Sequence, residues 1–351
     1  MTNTGWIVSP RYDTLFFTAS LAAPLLLWAG FSAGWLTGIA VYAIFQLAFN
    51  LPHNFQTWTL SVLDHDDRTR NGRTYLIAAV VTLLVLGLPM LLSPDGVYPW
   101  VRDALIYWGY YHLVRQHYGF QRMYERKMGG VSARESWLYG RFLDVVSYAP
   151  LLLRFRDPEL MTVRVGPLST WIWHPVLPTP AVAVVASIYA LTLLAALGHH
   201  VVMAVQRRPG FAPRGLLFLS VAACFAIANL AIAPIIVAIA VVTSFHNLQY
   251  LGLLLFHNRQ RAAAGATAGN PAVSWLSSGK VALYVAATLL FGVVIFAPRA
   301  LFQSVRIAEL PIAFVVAMHY FVDARLFQFK NYPKRAEWLG LTAPKPAPVT
   351  S

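Results

Sequence analysis

"PIIVAIAVVTSFHNLQYLGLLLFHNRQ", residues 234–260, decides the fold. Its apolar run exceeds the roughly 20 residues that a helix needs to cross about 30 Å of hydrocarbon, and it lacks the alternation of a barrel strand. Read as one membrane helix, it carries two histidines, two asparagines and two glutamines where lipid would demand none. The rest of the chain extends this reading. Of 351 residues, 58% are hydrophobic and 12% charged, and the mean hydropathy is +0.56, outside the range of ordinary soluble domains. The fold expected is all-α, a polytopic transmembrane helical bundle forming one integral-membrane domain over residues 1–351.

Apolar windows between polar breaks place ten helices, near 14–35, 37–58, 74–93, 99–120, 141–154, 178–205, 214–232, 234–257, 279–298 and 300–328. Pro94, Pro99, Pro178, Pro234 and Pro298 stand at or near boundaries, where a missing N–H costs least, whereas Pro311 is expected to kink the last span. After the even-numbered helices come "DHDDRTRNGR", "QRMYERKMGGVSARESWLYGR", "QRRPGFAPR", "HNRQR" and "KNYPKRAEW", each with clustered Lys or Arg. The odd-numbered helices lead into "GW", "SPDGVYP", a mixed segment from Arg154 to Pro178, almost nothing near Ala233, and "PRA". The positive-inside rule then puts both termini in the cytoplasm, in a membrane expected to be a bacterial inner membrane. The first residues lack the layout of a cleaved signal peptide, so the first helix is expected to persist.

The net charge of +13 sits beside apolar spans rather than in a tail or patch, which points to anionic lipid headgroups and away from nucleic acid. The single cysteine, Cys224, lies in an apolar run and excludes an intrachain disulfide or a thiolate metal cluster.

Ten histidines remain. In the ten-span reading, His53, His112, His117, His199, His200, His246, His257 and His319 all fall in the cytoplasmic halves of even-numbered helices; His65 and His174 lie in loops. One histidine at an interface is ordinarily solvated or hydrogen-bonded. A set at common depth is different, because polar groups in a bilayer are costly and mark functional sites, and neutral imidazole is a common metal ligand. The expected ligand pool is His53, His112, His117, His246 and His319, with His257 next. Asp323, four residues after His319 on the same helix face, joins as ligand or as the group fixing the ring tautomer.

Helix geometry limits the set. His246 and His257 share an azimuth but stand about 16 Å apart along an unbroken helix, so they cannot grip one ion, and His112 and His117 differ by about 140°. Amides repeat beside the rings in "HNFQ" at 53–56 and "HNLQ" at 246–249. Asn54, Gln56, Asn247 and Gln249 are therefore expected to orient the imidazoles. In "YYHLVRQHYGF", 110–120, the residues Tyr110, Tyr111, Arg115, Gln116 and Tyr118 are expected to line the pocket, with Tyr111, Arg115, Gln116 and Tyr118 acting on substrate. His199 and His200, ahead of "MAVQRR", read as interface residues whose heads reach water.

Imidazoles and carboxylates without thiolates suit iron, zinc, manganese or copper. Such a site at the inner leaflet suits oxygen activation by one or two non-haem irons on a fatty acyl chain, sterol or carotenoid, with a cytosolic electron donor. Two other readings use the same residues. His53 and His246 could ligate haem b from facing helices, although the bulky Phe55, Phe245 and Tyr250 crowd the macrocycle. Histidines with Asp323 could also form the proton or metal relay of a transporter, although transporter relays reach both faces.

The spacing His112-x4-His117 at a helix end resembles the first histidine box of membrane fatty-acyl desaturases and hydroxylases. That resemblance implies a histidine-held iron centre and an oxidoreductase acting on lipid. The later boxes of that family, H-x2-3-H-H, have no counterpart here; "LGHH" at 197–200 lacks the upstream histidine. The dispersed histidines are also similar to those of the Brp/Blh-type membrane carotenoid-cleaving dioxygenases, which implies a few intramembrane histidines around one iron.

Overall fold

A computed structural model describes residues 5–165, 168–208, 210–267, 269–302 and 305–341. The expected cytoplasmic placement of the two termini concerns residues outside these. Each apolar window is helical. The long helices are α1 Pro10–Ser32, α2 over residues 38–59, α3 His65–Leu92, α4 Tyr98–Lys127, α5 Ala133–Arg154, α6 Thr179–Val205, α7 Phe211–Ala231, α8 Ile235–Ala263, then, after the short α9 Pro271–Ser277, α10 Val281–Leu301 and α11 Leu310–Leu326; α12 Pro333–Trp338 follows.

Seven of the described helices are long and apolar enough to cross a membrane: α1, α3, α6, α7, α8, α10 and α11 with the 3-10 turn before it. The three other expected spans, α2, α4 and α5, hold many of the polar residues, and ten crossings therefore stay an inference from pattern. The outer helices present leucine and valine outward, as Leu76, Leu92, Leu194 and Leu290 do. Only 6% of the apolar window of α6 is buried, against 78% of that of α8. These are the surfaces of an integral membrane protein with α8 as its axle.

Local chemistry explains the boundaries. Ser9 accepts the Tyr12 N–H at 3.2 Å to open α1. Ser132 accepts the Glu135 N–H at 3.1 Å to open α5 in a Ser-x-x-Glu start. Within α2, the turn Phe45–Asn50 widens to a π-helix just before Pro52, which has no N–H to continue the ladder. Likewise, α7 ends in a π turn, Ile227–Ala231, ahead of Pro234.

Two expectations change. Pro311 does not kink a long last helix; it occupies the first turn of α11, where a missing donor costs nothing, behind a 3-10 turn at Arg306–Glu309. The boundary at Pro298 moves as well, since α10 continues through it to Leu301. The segment between α5 and α6 contains an unforeseen antiparallel hairpin, β1 Thr162–Val165 with β2 Leu168–Trp171. Arg154, buried at the end of α5, secures that side by donating to the carbonyl oxygens of Leu160 at 2.8 Å and Ile232 at 2.7 Å.

Candidate metal centre

Four helices bring one imidazole each to a common point. His53 of α2, His112 of α4, His246 of α8 and His319 of α11 are all buried, and one ring nitrogen from each lies within 4.8 Å of every other. His53 Nε2 and His319 Nε2 are 2.9 Å apart, and His319 Nε2 and His112 Nε2 3.2 Å. The His246 ring stands edge-on to those of His53 and His112, with centroids 4.9 and 5.2 Å away. Four nitrogens held tetrahedrally at about 2.05 Å from an ion would be about 3.3 Å apart, so the donor set fits one small cation.

One imidazole has its outer nitrogen tied. Tyr250 Oη donates to Asp323 Oδ1 at 2.6 Å, Thr57 Oγ1 lies 3.1 Å from Tyr250 Oη, and His319 Nδ1 lies 2.7 Å from Thr57 Oγ1. The direction of this chain follows by elimination. Tyr250 spends its proton on the carboxylate, so Thr57 donates to Tyr250, and the Thr57 oxygen accepts from Nδ1–H of His319. The Nε2 lone pair of His319 is thereby aimed at the other three rings. The Nδ1 atoms of His53 and His246 are buried with no hydrogen-bond partner among the described residues, and these rings are held by packing, His53 against Tyr250 with centroids 4.5 Å apart. On α4, Gly109 admits the Tyr320 ring to its flank, where a Cβ would collide with the hydroxyl, and Tyr320 packs 4.9 Å from His112.

The group closes one end of a cavity of about 740 Å³, in the upper part of the range of about 300–1,000 Å³ for small-molecule sites. Its walls include Leu105, Ile106, Leu113, Ile236, Ile239 and Val242. At the other end stand Asp95, Arg102, Arg299, Arg306 and Glu309. Four helices measure the same depth between the ends: Tyr42 to His53, Arg102 to His112, Ile235 to His246 and Glu309 to His319 are each ten or eleven residues, about 15–16 Å of helix. The histidines thus sit near mid-length of α4 and α8 rather than at the ends bearing the basic loops.

The remaining expected site residues divide. His117 is buried but outside the group, stacked on Phe245 with its centroid 6.3 Å from that of His246, in keeping with its azimuth on α4. His257 lies about three turns beyond His246, its Nδ1 3.0 Å from Asn258 Oδ1 and its ring edge-on to Trp338 at 5.3 Å. Asp323 approaches His112 Nε2 only to 3.7 Å and acts through Tyr250. His199 and His200 pack around Tyr139, to which His200 Nε2 is hydrogen-bonded, and join no cluster with the four.

Among the described residues none of the amides expected to orient the imidazoles is hydrogen-bonded to one of the four clustered rings. Asn54 donates to the Asn50 carbonyl at 2.9 Å and Gln249 to the Phe17 carbonyl at 2.8 Å. Gln56 is buried beside them. Asn247 is buried and lines the cavity. The expected pocket residues of α4 need the larger correction. Tyr111 and Arg115 are exposed, and the Arg115 guanidinium covers the Tyr118 ring at 4.3 Å. None of the three lines the cavity. At 100° per residue the face holding His112 excludes Tyr111 and includes Gln116, which donates to the His246 carbonyl at 3.2 Å and so ties α4 to α8.

Thr57, Tyr250, Gly109 and Tyr320 were missed, yet a signal existed. Each of the four histidines has a polar residue four positions later, on the same helix face: Thr57, Gln116, Tyr250 and Asp323. No family model matches this chain, and no curated protein or solved structure does either.

Proposed function

We propose that the chain is an integral-membrane, metal-dependent oxidoreductase, a non-haem iron oxygenase acting on a lipid-like or isoprenoid substrate. The observation that carries this reading is the convergence of four buried ring nitrogens at the blind end of an apolar cavity, which puts a metal and a greasy substrate in one space. His53, His112, His246 and His319 would hold a single ion; the donor set alone also suits zinc, manganese or copper. Iron bound there supplies oxygen activation. The protein holds the His319 lone pair in place through Thr57, Tyr250 and Asp323, seats the substrate chain against Ile106, Leu113 and Val242, and keeps bulk water from the reacting carbon. Reducing equivalents come from a cytosolic donor, and the basic loops meet anionic headgroups of a bacterial inner membrane with both termini inside. A haem sandwiched between His53 and another ring does not suit four nitrogens crowded on one point.

Elemental analysis of protein purified in mild detergent tests the proposal. About one equivalent of iron per chain is expected, and each of His53→Ala, His112→Ala, His246→Ala and His319→Ala should lose it. Unchanged metal content in all four variants would overturn the ligand assignment.

A further inference from the structure

The cavity has one charged end, and every charge there is already answered. Arg102 binds Asp103 Oδ1 through Nε at 2.8 Å and Nη2 at 2.7 Å, while Asp103 Oδ2 accepts the Trp173 N–H at 2.8 Å. Arg299 pairs with Glu309 at 3.2 Å, and Tyr98 Oη donates to the other oxygen of Glu309 at 3.3 Å. Arg306 pairs with Asp95 and also holds the Pro94 carbonyl. Three arginines thus meet three carboxylates, so the mouth is ringed by charge and has no net charge. An anionic headgroup entering it would have to displace a resident carboxylate, and separating the buried Asp103 or the part-buried Glu309 from its arginine costs more than the new pair returns. A neutral chain has no such toll.

The mouth also has a definite side. Its residues come from the α3–α4 and α10–α11 connections, the starts of α4 and α8 and the end of α10, with Met161, Val163, Thr170 and Ile172 of the α5–α6 segment on its rim. The basic clusters lie at the opposite ends of the same helices. On α4 the two faces are the ends of one unbroken helix of 30 residues, about 45 Å apart. The hairpin is fastened over the rim, since Arg102 also donates to Thr170 Oγ1 and, at 2.8 Å, to the Trp171 carbonyl, and Tyr107 Oη reaches the Trp173 carbonyl at 2.7 Å.

We infer that the histidine centre is loaded from the face opposite the basic loops, through a ring of closed ion pairs that admits uncharged apolar molecules and turns away their anionic counterparts. This deepens the proposed function, on which it rests for the chemistry, and it moves the substrate's approach away from the basic-loop leaflet expected from the sequence.

A matched pair of fluorescent polyenes tests selectivity: parinaric acid, ionised at pH 8, and its methyl ester, titrated into the full chain in detergent micelles. The ester should bind at least about tenfold more tightly than the acid. Glu309→Gln, which removes the carboxylate paired with Arg299, should narrow that ratio, and Ile239→Trp, which fills the cavity wall, should weaken the ester about tenfold or more. Metal content measured on each sample reports folding. Equal or tighter binding of the acid by wild-type protein, or an Ile239→Trp variant that retains metal and full ester affinity, would overturn the inference. Should Ile239→Trp lose its metal as well, Ile239→Phe is read in its place by the same two measurements.

Sidedness is read with a membrane-impermeant maleimide on vesicles of both orientations, using Thr170→Cys at the mouth and Arg134→Cys, exposed in the first turn of α5 on the basic-loop face; the buried Cys224 leaves wild-type protein as the unlabelled control. The two positions should label from opposite faces, with Thr170→Cys protected by the ester; labelling from one face would refute the loading route. His53→Ala separates the two claims: if it loses metal and keeps ester binding, the route stands on its own. Metal-loaded wild-type protein that binds no ester sinks the route and spares the metal centre.

Discussion

His246 and His257 stand on the same helix, at nearly the same azimuth, each followed by asparagine and, two residues later, by glutamine. One is part of a four-helix convergence and the other is not. Around His246, α2 and α4 pack on α8, and α11 meets it through the Tyr250–Asp323 hydrogen bond, each arriving with its own imidazole. Around His257 the neighbours are Asn258, which occupies Nδ1, and Trp338, which covers the ring edge. Four residues beyond His246 lies Tyr250, which links to the carboxylate of Asp323. Four beyond His257 lies Arg261, whose guanidinium pairs with Asp64 in the connection from α2 to α3. A local motif therefore places a histidine on a face, and only the crossing of other helices makes it a ligand.

The largest expected effect breaks this comparison directly. His246→Ala should remove bound metal almost completely, whereas His257→Ala should keep the wild-type metal content and lose about 1–3 kcal/mol of stability as the Asn258 amide is left buried and unpaired. Elemental analysis and thermal unfolding in the same detergent distinguish the two. Metal loss in both variants would mean that the two histidines are coupled through α8 despite about 16 Å of separation.

Hydrophobic runs located the apolar body of each helix because burial in lipid imposes a pattern along one chain, whereas the polar ends of α3, α4 and α5 run seven to nine residues past the expected bounds and α11 begins ten residues after its own. The hairpin escaped, as Thr170 and Trp171 are held over the mouth by Arg102, some 70 residues earlier. Of the site, His53, His112, His246 and His319 could be nominated since polar groups at membrane depth are costly. Excluding His117 and His257 followed from helix arithmetic only once the crossing point was known. The amides one turn away were tempting at three-residue spacing, yet the crossing geometry uses the residues four positions on, Thr57 and Tyr250, which bond to His319 and Asp323 of another helix. Tyr111 and Arg115 misled because α4 is polar on more than one face; its outward side carries an arginine stacked on tyrosine.

A smaller effect sharpens the contrast between tied and untied rings. Tyr250→Phe removes the donor to Asp323 and the acceptor for Thr57, so Thr57 is no longer compelled to accept from His319. Metal affinity should fall about 10–100-fold, the usual cost of losing a partner that orients a metal-bound imidazole, and Asp323→Asn should fall in the same range. Competition with a chelator of known affinity measures both. If affinity is unchanged in Tyr250→Phe, packing alone fixes the His319 ring, as it does for His53 and His246.

Acid supplies a further test of the same contrast. Each of the four rings must be neutral to ligate, so protons compete with the ion, and the retained metal should decline as pH falls, steeply because several imidazoles are released together. His257→Ala should leave this curve in place, since His257 is no ligand. A shift in its midpoint would assign that residue a part in the centre.

The smallest effects belong to the outward face of α4. Tyr111→Phe and Arg115→Ala lie on the helix that carries His112 and differ from it by one and three positions, yet both side chains are exposed and absent from the cavity wall. Metal content, ester binding and turnover should match the wild type, with stability changed by no more than about 0.5 kcal/mol. Gln116→Ala, one position further on, should show what the inward side is worth. It removes the hydrogen bond to the His246 carbonyl, costs about 0.5–1.5 kcal/mol of stability and weakens metal binding measurably. An Arg115→Ala variant that binds metal normally but turns over slowly would return that arginine to the reaction and require the outer surface of α4 to meet substrate.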